Sequence, residues 1–239
     1  MKLNRFLLFF LLGAHSALAA SVDGYELYYS EREPGVEGYI TRMSITGRYL
    51  RIDDMSEQES SGFMLFDLQS RQIFSVSHLD KSILVMQDFD YVIPKISDKL
   101  VHSDAPLGDA PLVAGRQVHS YRVELKSENI EELCTSVQYV PGLLPEVGKV
   151  LHAWQQVVSG NQVKILDRTP QEYRTPCMLS DQVYNRGDYY SKGLVIQEWH
   201  SNGRQRLLQD YKKRTFDETL FHLPESYERF TLDDTRSLQ

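Results

Sequence analysis

Cysteine is nearly absent from this 239-residue chain, which has only Cys134 and Cys177. Two thiols with no adjoining pair of histidines are too few for a tetrahedral zinc site, and they are not spaced as the Cys-x-x-Cys of a redox pair. An excess of positive charge is also missing. Two of the 26 basic residues and none of the 33 acidic ones fall in positions 1–19, so the remainder carries 24 basic residues and a net charge of −9. That balance excludes the basic face that non-specific nucleic-acid binding or docking on anionic lipid requires. Beyond the N-terminus no run is apolar enough for a stable membrane span. Glycines are scattered singly, so there is no phosphate-cradling loop, and no Gly-x-Ser-x-Gly elbow or HxxxH pair occurs. The sequence therefore offers no catalytic residues, no metal ligands and no cofactor motif, and the expectation is a protein that is not an enzyme.

The N-terminus has three parts. Lys2 and Arg5 are basic, Phe6 to Leu12 form a short apolar run, and Ala17-Leu18-Ala19 supplies small residues where a signal peptidase cuts. The expectation is an export signal over residues 1–19, cleaved near Ala19, and a periplasmic domain over 20–239. No Cys stands near the cut, so lipid attachment there is not expected. In an oxidising compartment Cys134 and Cys177 are expected to form a disulfide, with a stabilisation of roughly 4 kcal/mol from loop closure.

Fourteen Tyr and ten Phe against nine Pro favour a folded β-rich domain over disorder. From Val22 to Met86 apolar residues recur at every second position, in short runs broken by turns. Met43 and Ile45 precede Thr46-Gly47, and Leu50 and Ile52 follow it. Met64, Phe66 and Leu68 repeat the pattern, then Phe74 and Val76, then Ile83 to Met86. Neighbouring hairpins of this kind imply an antiparallel sheet. Residues 87–114, with Pro94, Pro106 and Pro111, read as a long loop holding short extended or helical pieces. Strand pattern resumes after Gly115 with His119, Tyr121, Val123 and Leu125, and again at Val137 and Tyr139.

One amphipathic helix follows, with Leu144, Val147, Leu151, Trp154 and Val158 on its packing face, Pro145 in its first turn and Ser159-Gly160 as its stop. After a loop through Cys177, Gly193–Trp199 and Arg204–Tyr211 read as strands joined by Ser201-Asn202-Gly203. One last strand is expected between Phe216 and Leu232. The architecture is α+β, mainly β: one domain in which a curved antiparallel sheet, an incomplete β-barrel, is covered by a helix.

Isolated side chains give weaker signals. His119 and His152 are expected to be partly buried and hydrogen-bonded, and His102 and His200 exposed. Asp53, Asp54, Glu57 and Glu59 lack the alternation and glycine of a calcium loop and read as a solvated cluster. Arg186-Gly187-Asp188 reads as a chance tripeptide.

The stretches Gly47–Asp53, Phe63–Asp67 and Ile73–Val76, with the later Phe221-His222-Leu223-Pro224-Glu225-Ser226-Tyr227, resemble the periplasmic lipoprotein-carrier (LolA/LolB-like) superfamily and related periplasmic domains. The resemblance touches most of residues 22–232. It implies a curved open barrel whose concave face is closed by helices and takes up acyl chains. The expected function is a non-catalytic binding protein for a lipid, lipoprotein or other hydrophobic ligand of the envelope. The alternative is an envelope protein–protein interaction module without a ligand. No ligand-binding residue is assignable from the sequence.

Overall fold

The computed structural model describes residues 20–56, 61–88, 90–93, 95, 99–166, 168–184 and 186–233. The expected export signal, Pro94, Glu57 and Glu59 lie outside them. Twelve strands form one sheet: β1 (Ser21–Arg32), β2 (Tyr39–Thr46), β3 (Tyr49–Asp54), β4 (Gly62–Asp67), β5 (Gln72–Ser77), β6 (Ser82–Gln87), β7 (Leu100–Pro106), β8 (His119–Ser127), β9 (Ile130–Pro141), β10 (Gly193–His200), β11 (Gln205–Asp217) and β12 (Glu228–Thr231). Their order is β12-β6-β5-β4-β3-β2-β1-β11-β10-β9-β8-β7. Every pairing is antiparallel except β12 with β6. The mainly-β fold with a packed helix is as expected, but the sheet does not close into a barrel: β12 and β7 remain its two edges.

The expected meander follows the alternation of its side chains. Ile45 pairs with Leu50 across the Gly47-Arg48 turn, and Leu50 with Phe66 on the next strand. Direct partners share a face, so the apolar sets of β1 to β5 converge on one side. That concave side receives α1 (Pro145–Leu166), which buries Val147, Val150, Leu151, Ala153 and Val157 against Leu27, Tyr29, Met43, Ile45, Phe66 and Ile73. Trp154 and Val158 pack at the margin of this core. Leu144 also packs there, but from just before the helix, with a backbone φ of 50°.

The helix runs past its expected stop. Ser159 and Gly160 are buried packing residues, and Asn161 donates its side-chain amide to the carbonyls of Val157 and Gln87. Small residues here admit close neighbours rather than ending the helix.

The opposite face of β3 to β6 has its own cover. Phe63, Leu65, Phe74, Val76, Ile83 and Val85 pack with Phe216 and Phe221. Phe221 stacks on Tyr49 at 5.4 Å between ring centroids, and Tyr227 meets His78 through its hydroxyl at 2.9 Å. The segment Phe221–Tyr227 thus covers the apolar patch on this second face. Asp53 is not part of a solvated cluster, because it is buried between Arg42 and Arg51 at 3.3 and 2.8 Å.

Two other expectations change. Within 87–114, read as a long loop with short extended or helical pieces, residues 100–106 form a full strand, β7, paired with β8 at the sheet edge. The segment around Cys177 is largely helical: a 3₁₀ turn at Gln171–Tyr173, α2 (Pro176–Leu179), a π turn at Ser180–Tyr184 and a second 3₁₀ turn at Asp188–Lys192. Cys134 on β9 and Cys177 on α2 are joined as a disulfide, their Cα atoms 4.8 Å apart. The bridge pins this segment onto the concave face of β8 and β9, where both sulfurs are buried with Val123 and Leu125.

Candidate functional site

Two groups of charged residues face the concave side, at the margins of the apolar core. The first lies where β1, β10 and β11 meet the pinned 176–184 segment. A β-bulge creates it. Register between β10 and β9 shifts after Val195, so Val195 faces Tyr139 while Glu198 and His200 face Val137 and Thr135 on the same side. One extra residue reverses which alternate side chains turn inward. Glu198 and His200 are therefore buried, and His200 is only 1% exposed instead of lying on the surface beside the Asn-Gly turn.

Each group in this cluster has partners. Arg206 donates Nε–H to Glu31 at 2.8 Å, and Thr41 donates its hydroxyl to the same carboxylate at 2.9 Å. Tyr190 donates its hydroxyl to Glu198 at 2.5 Å and accepts from Arg206 at 3.3 Å. His200 places Nδ1 2.7 Å from Asp181 and Nε2 3.6 Å from Glu198, while Arg204 reaches Asp181 at 3.1 Å.

Burial opposes charge on both Glu198 and His200, but the partners prevail. Arg206, His200 and Tyr190 hold the Glu198 carboxyl well below the usual range. Hydrogen bonds to Asp181 and Glu198 raise His200 above its ordinary value, against Arg204. Three carboxylates face two guanidiniums, and a proton on His200 would balance the third. The space among these groups is about 20 Å³, lined also by Trp154 and Gln155. That is room for a single water. The cluster resembles an active site in composition, but its charged groups are paired with one another, and Trp154 Nε1 on its wall is the member without a hydrogen-bond partner among the described residues.

The second group is open. Arg186 follows the π turn and precedes Gly187, whose φ is 70°. A side chain at Gly187 would meet Gln155 Cβ of α1 at 2.7 Å, so the turn is seated directly on the helix. Asp188 continues it and lies 3.2 Å from His152 Nε2, which is partly buried as expected. The tripeptide Arg186-Gly187-Asp188, read as chance, is thus one fixed corner of the concave face.

Arg186 lines two pockets. One, of about 220 Å³, is formed with Arg71, Asp88, Asp90, Tyr91 and Gln156. The other, of about 140 Å³, lies between the 180–188 segment and the sheet, against His102, Tyr121, Val123 and Thr135. Nε of Arg186 is buried and has no hydrogen-bond partner among the described residues. Arg71, by contrast, is taken up by Asp88 and by Gln156, whose Oε1 accepts at 3.2 Å. His102 is exposed as expected and meets the Tyr121 hydroxyl at 2.8 Å. His119 is half-buried beside Asp104 at 3.6 Å.

The sequence assigns a role to neither group: Arg186 falls in a tripeptide read as chance, and His200 is expected at the surface. The only signal for the first was an Arg-Gly step in a segment with no strand pattern. For the second it was an acidic and a basic residue alternating at the end of a strand. The expected disulfide and helix face do converge on this region, as the supports that hold the 176–192 segment in place. Among the described residues no cluster of three or more His, Cys, Asp or Glu has the spacing of a metal site. No helix of the described chain is long and apolar enough to cross a membrane.

Compared with known proteins, the sequence matches no family model and no curated protein. Among solved structures it is similar to an uncharacterised conserved protein of Thermus thermophilus, at 8% identity over 90% of this chain and 91% of that one, with a TM-score of 0.41. It is also similar to PNGF-II in two crystal forms, at 9% identity and a TM-score of 0.42. This chain spans about a third of PNGF-II, 33% and 32% in the two forms.

Proposed function

We propose that this chain is a non-catalytic binding protein of the cell envelope that holds the polar part of a lipid or lipoprotein in the open groove around Arg186. One observation carries the reading: a guanidinium shared by two adjoining pockets, with a desolvated N–H that no described residue satisfies. Buried polar groups are normally paired, and one left unpaired at a pocket wall is a docking point for an external acceptor.

The groove, rather than an enclosed acyl cavity, is favoured by the packing. Side chains of α1 with Tyr189 and Tyr190 already fill the concave apolar face. The His200 cluster supports a non-catalytic role, since its acid–base groups are engaged with one another around a space of about 20 Å³.

The test is native mass spectrometry of the protein purified from envelope extracts, beside the Arg186→Ala variant. A small molecule retained by the parent chain and lost from the variant is the expected result. A parent chain that is empty in every preparation overturns the reading.

A second reading, a protein–protein module, is favoured by the outer side of β7, a free sheet edge with exposed side chains from Val101 to Pro106. Crosslinking in envelope extracts that traps one partner through β7, with no small molecule bound, selects it.

A further inference from the structure

The larger pocket at Arg186 contains charges of both signs that have no ion-pair partner among the described residues. Arg71 and Asp88 cancel as a pair. Arg186 and Asp90 remain, and both line the same space of about 220 Å³. Neither forms an ion pair within 4.0 Å among the described residues, with each other or with a third group. A guanidinium with a buried Nε and an exposed carboxylate thus line one pocket, each without an ion-pair partner among the described residues. A ligand of one sign would gain from the first and be repelled by the second. A ligand carrying both signs gains from each.

We propose that this pocket binds a zwitterionic group of the phosphoethanolamine type, an oxyanion on Arg186 and an ammonium beside Asp90. The inference rests on the groove being the ligand site and names the chemistry that it recognises.

Three features fit this chemistry. The planar guanidinium is the side chain best shaped for two-point contact with an oxyanion, and its buried N–H supplies one donor that is already desolvated. The Tyr91 ring lines the same pocket, where an aromatic face adds to the attraction for an ammonium. The ring packs close over Gly160 of α1, where a Cβ would come within 2.8 Å of it. Finally, about 220 Å³ is below the roughly 300–1,000 Å³ that encloses a drug-sized ligand, and suits a headgroup with the rest of the molecule outside.

The experiment is calorimetric titration of the full chain with phosphoethanolamine, inorganic phosphate and ethanolamine, repeated on Arg186→Ala and Asp90→Asn. Phosphoethanolamine is expected to bind at least about tenfold more tightly than either half, about 1.4 kcal/mol. Arg186→Ala should weaken it about tenfold, and Asp90→Asn should remove most of the preference over phosphate. Vesicles containing phosphatidylethanolamine, against vesicles of phosphatidylglycerol, identify the source. Retention on the first assigns a lipid headgroup, and binding of the soluble compound alone assigns a free zwitterion; either supports the proposal.

Phosphate binding as tightly as phosphoethanolamine, or Asp90→Asn leaving the preference intact, overturns it. Failure of every probe, while Arg186→Ala still loses a co-purified molecule, overturns the zwitterion and leaves the groove standing. Failure of both removes the two together.

Discussion

The His200 cluster and the Arg186 pocket use the same kinds of side chain on the same face of one sheet, yet they are opposites in completeness. Around His200, carboxylates, guanidiniums, a phenol and an imidazole satisfy one another in a space for one water. Around Arg186, an N–H and a carboxylate are left over in a pocket ten times larger in order of magnitude. Closed networks of buried charge hold a structure together or cost it stability when broken; open ones can exchange water for a ligand. Composition alone points to the His200 cluster, because its His, Asp, Glu and Tyr are the residues from which acid–base centres are made, whereas unfilled space points to Arg186.

The comparison breaks most severely if the closed cluster tolerates loss of a member. Arg206→Leu leaves Glu31 and Glu198 buried without their main counter-charge, and is expected to cost about 3–5 kcal/mol in urea unfolding. A cost below about 1 kcal/mol would mean the network is loosely hydrated rather than closed. Next is Gly187→Ala, which puts a side chain at a φ of 70° and against Gln155. It should cost about 1–3 kcal/mol and move Arg186 away from α1, so thermal melting and ligand binding should fall together.

The third effect is a pH dependence. The folded state raises the pKa of His200, so its contribution to stability is complete below the unfolded value of about 6.5 and is lost as pH rises through the folded value. Melting temperature should fall as pH rises above about 6.5 and through the folded value, and His200→Gln should flatten that slope. A parent profile that rises with pH through this window would show that His200 is neutral in the fold. The smallest effect sharpens the contrast from the other side: Arg186→Ala should change stability by no more than about 0.5 kcal/mol, because no described partner is left behind.

Legibility in the sequence followed exposure. The hairpins from β1 to β6 were readable because their apolar runs are short and broken by turns, even though β4 to β6 bury side chains on both faces, and α1 because its stripe spans the core contact. Strand β7 was not, since Val101 to Pro106 are all exposed and an edge strand with polar side chains has no alternation. His200 was misplaced for two local reasons. The bulge after Val195 inverted the alternation, and the cover that buries it comes from the segment near Cys177, a separate element of the chain. The two cysteines announced that a long-range tie exists, but not that it carries Asp181 onto an imidazole.

The position of β1 has one further consequence. The first strand lies in the interior of the sheet, between β2 and β11, and its partners run from Ser21 with Asp217 to Arg32 with Gln205. A chain made from its N-terminus must therefore synthesise almost its whole length before the seam joining the two halves of the sheet can form. Such distant pairing makes folding slow and leaves β1 exposed on one side in the meantime. A nascent chain would stay open, and a truncation before residue 205 would remove the strand that makes one sheet out of two.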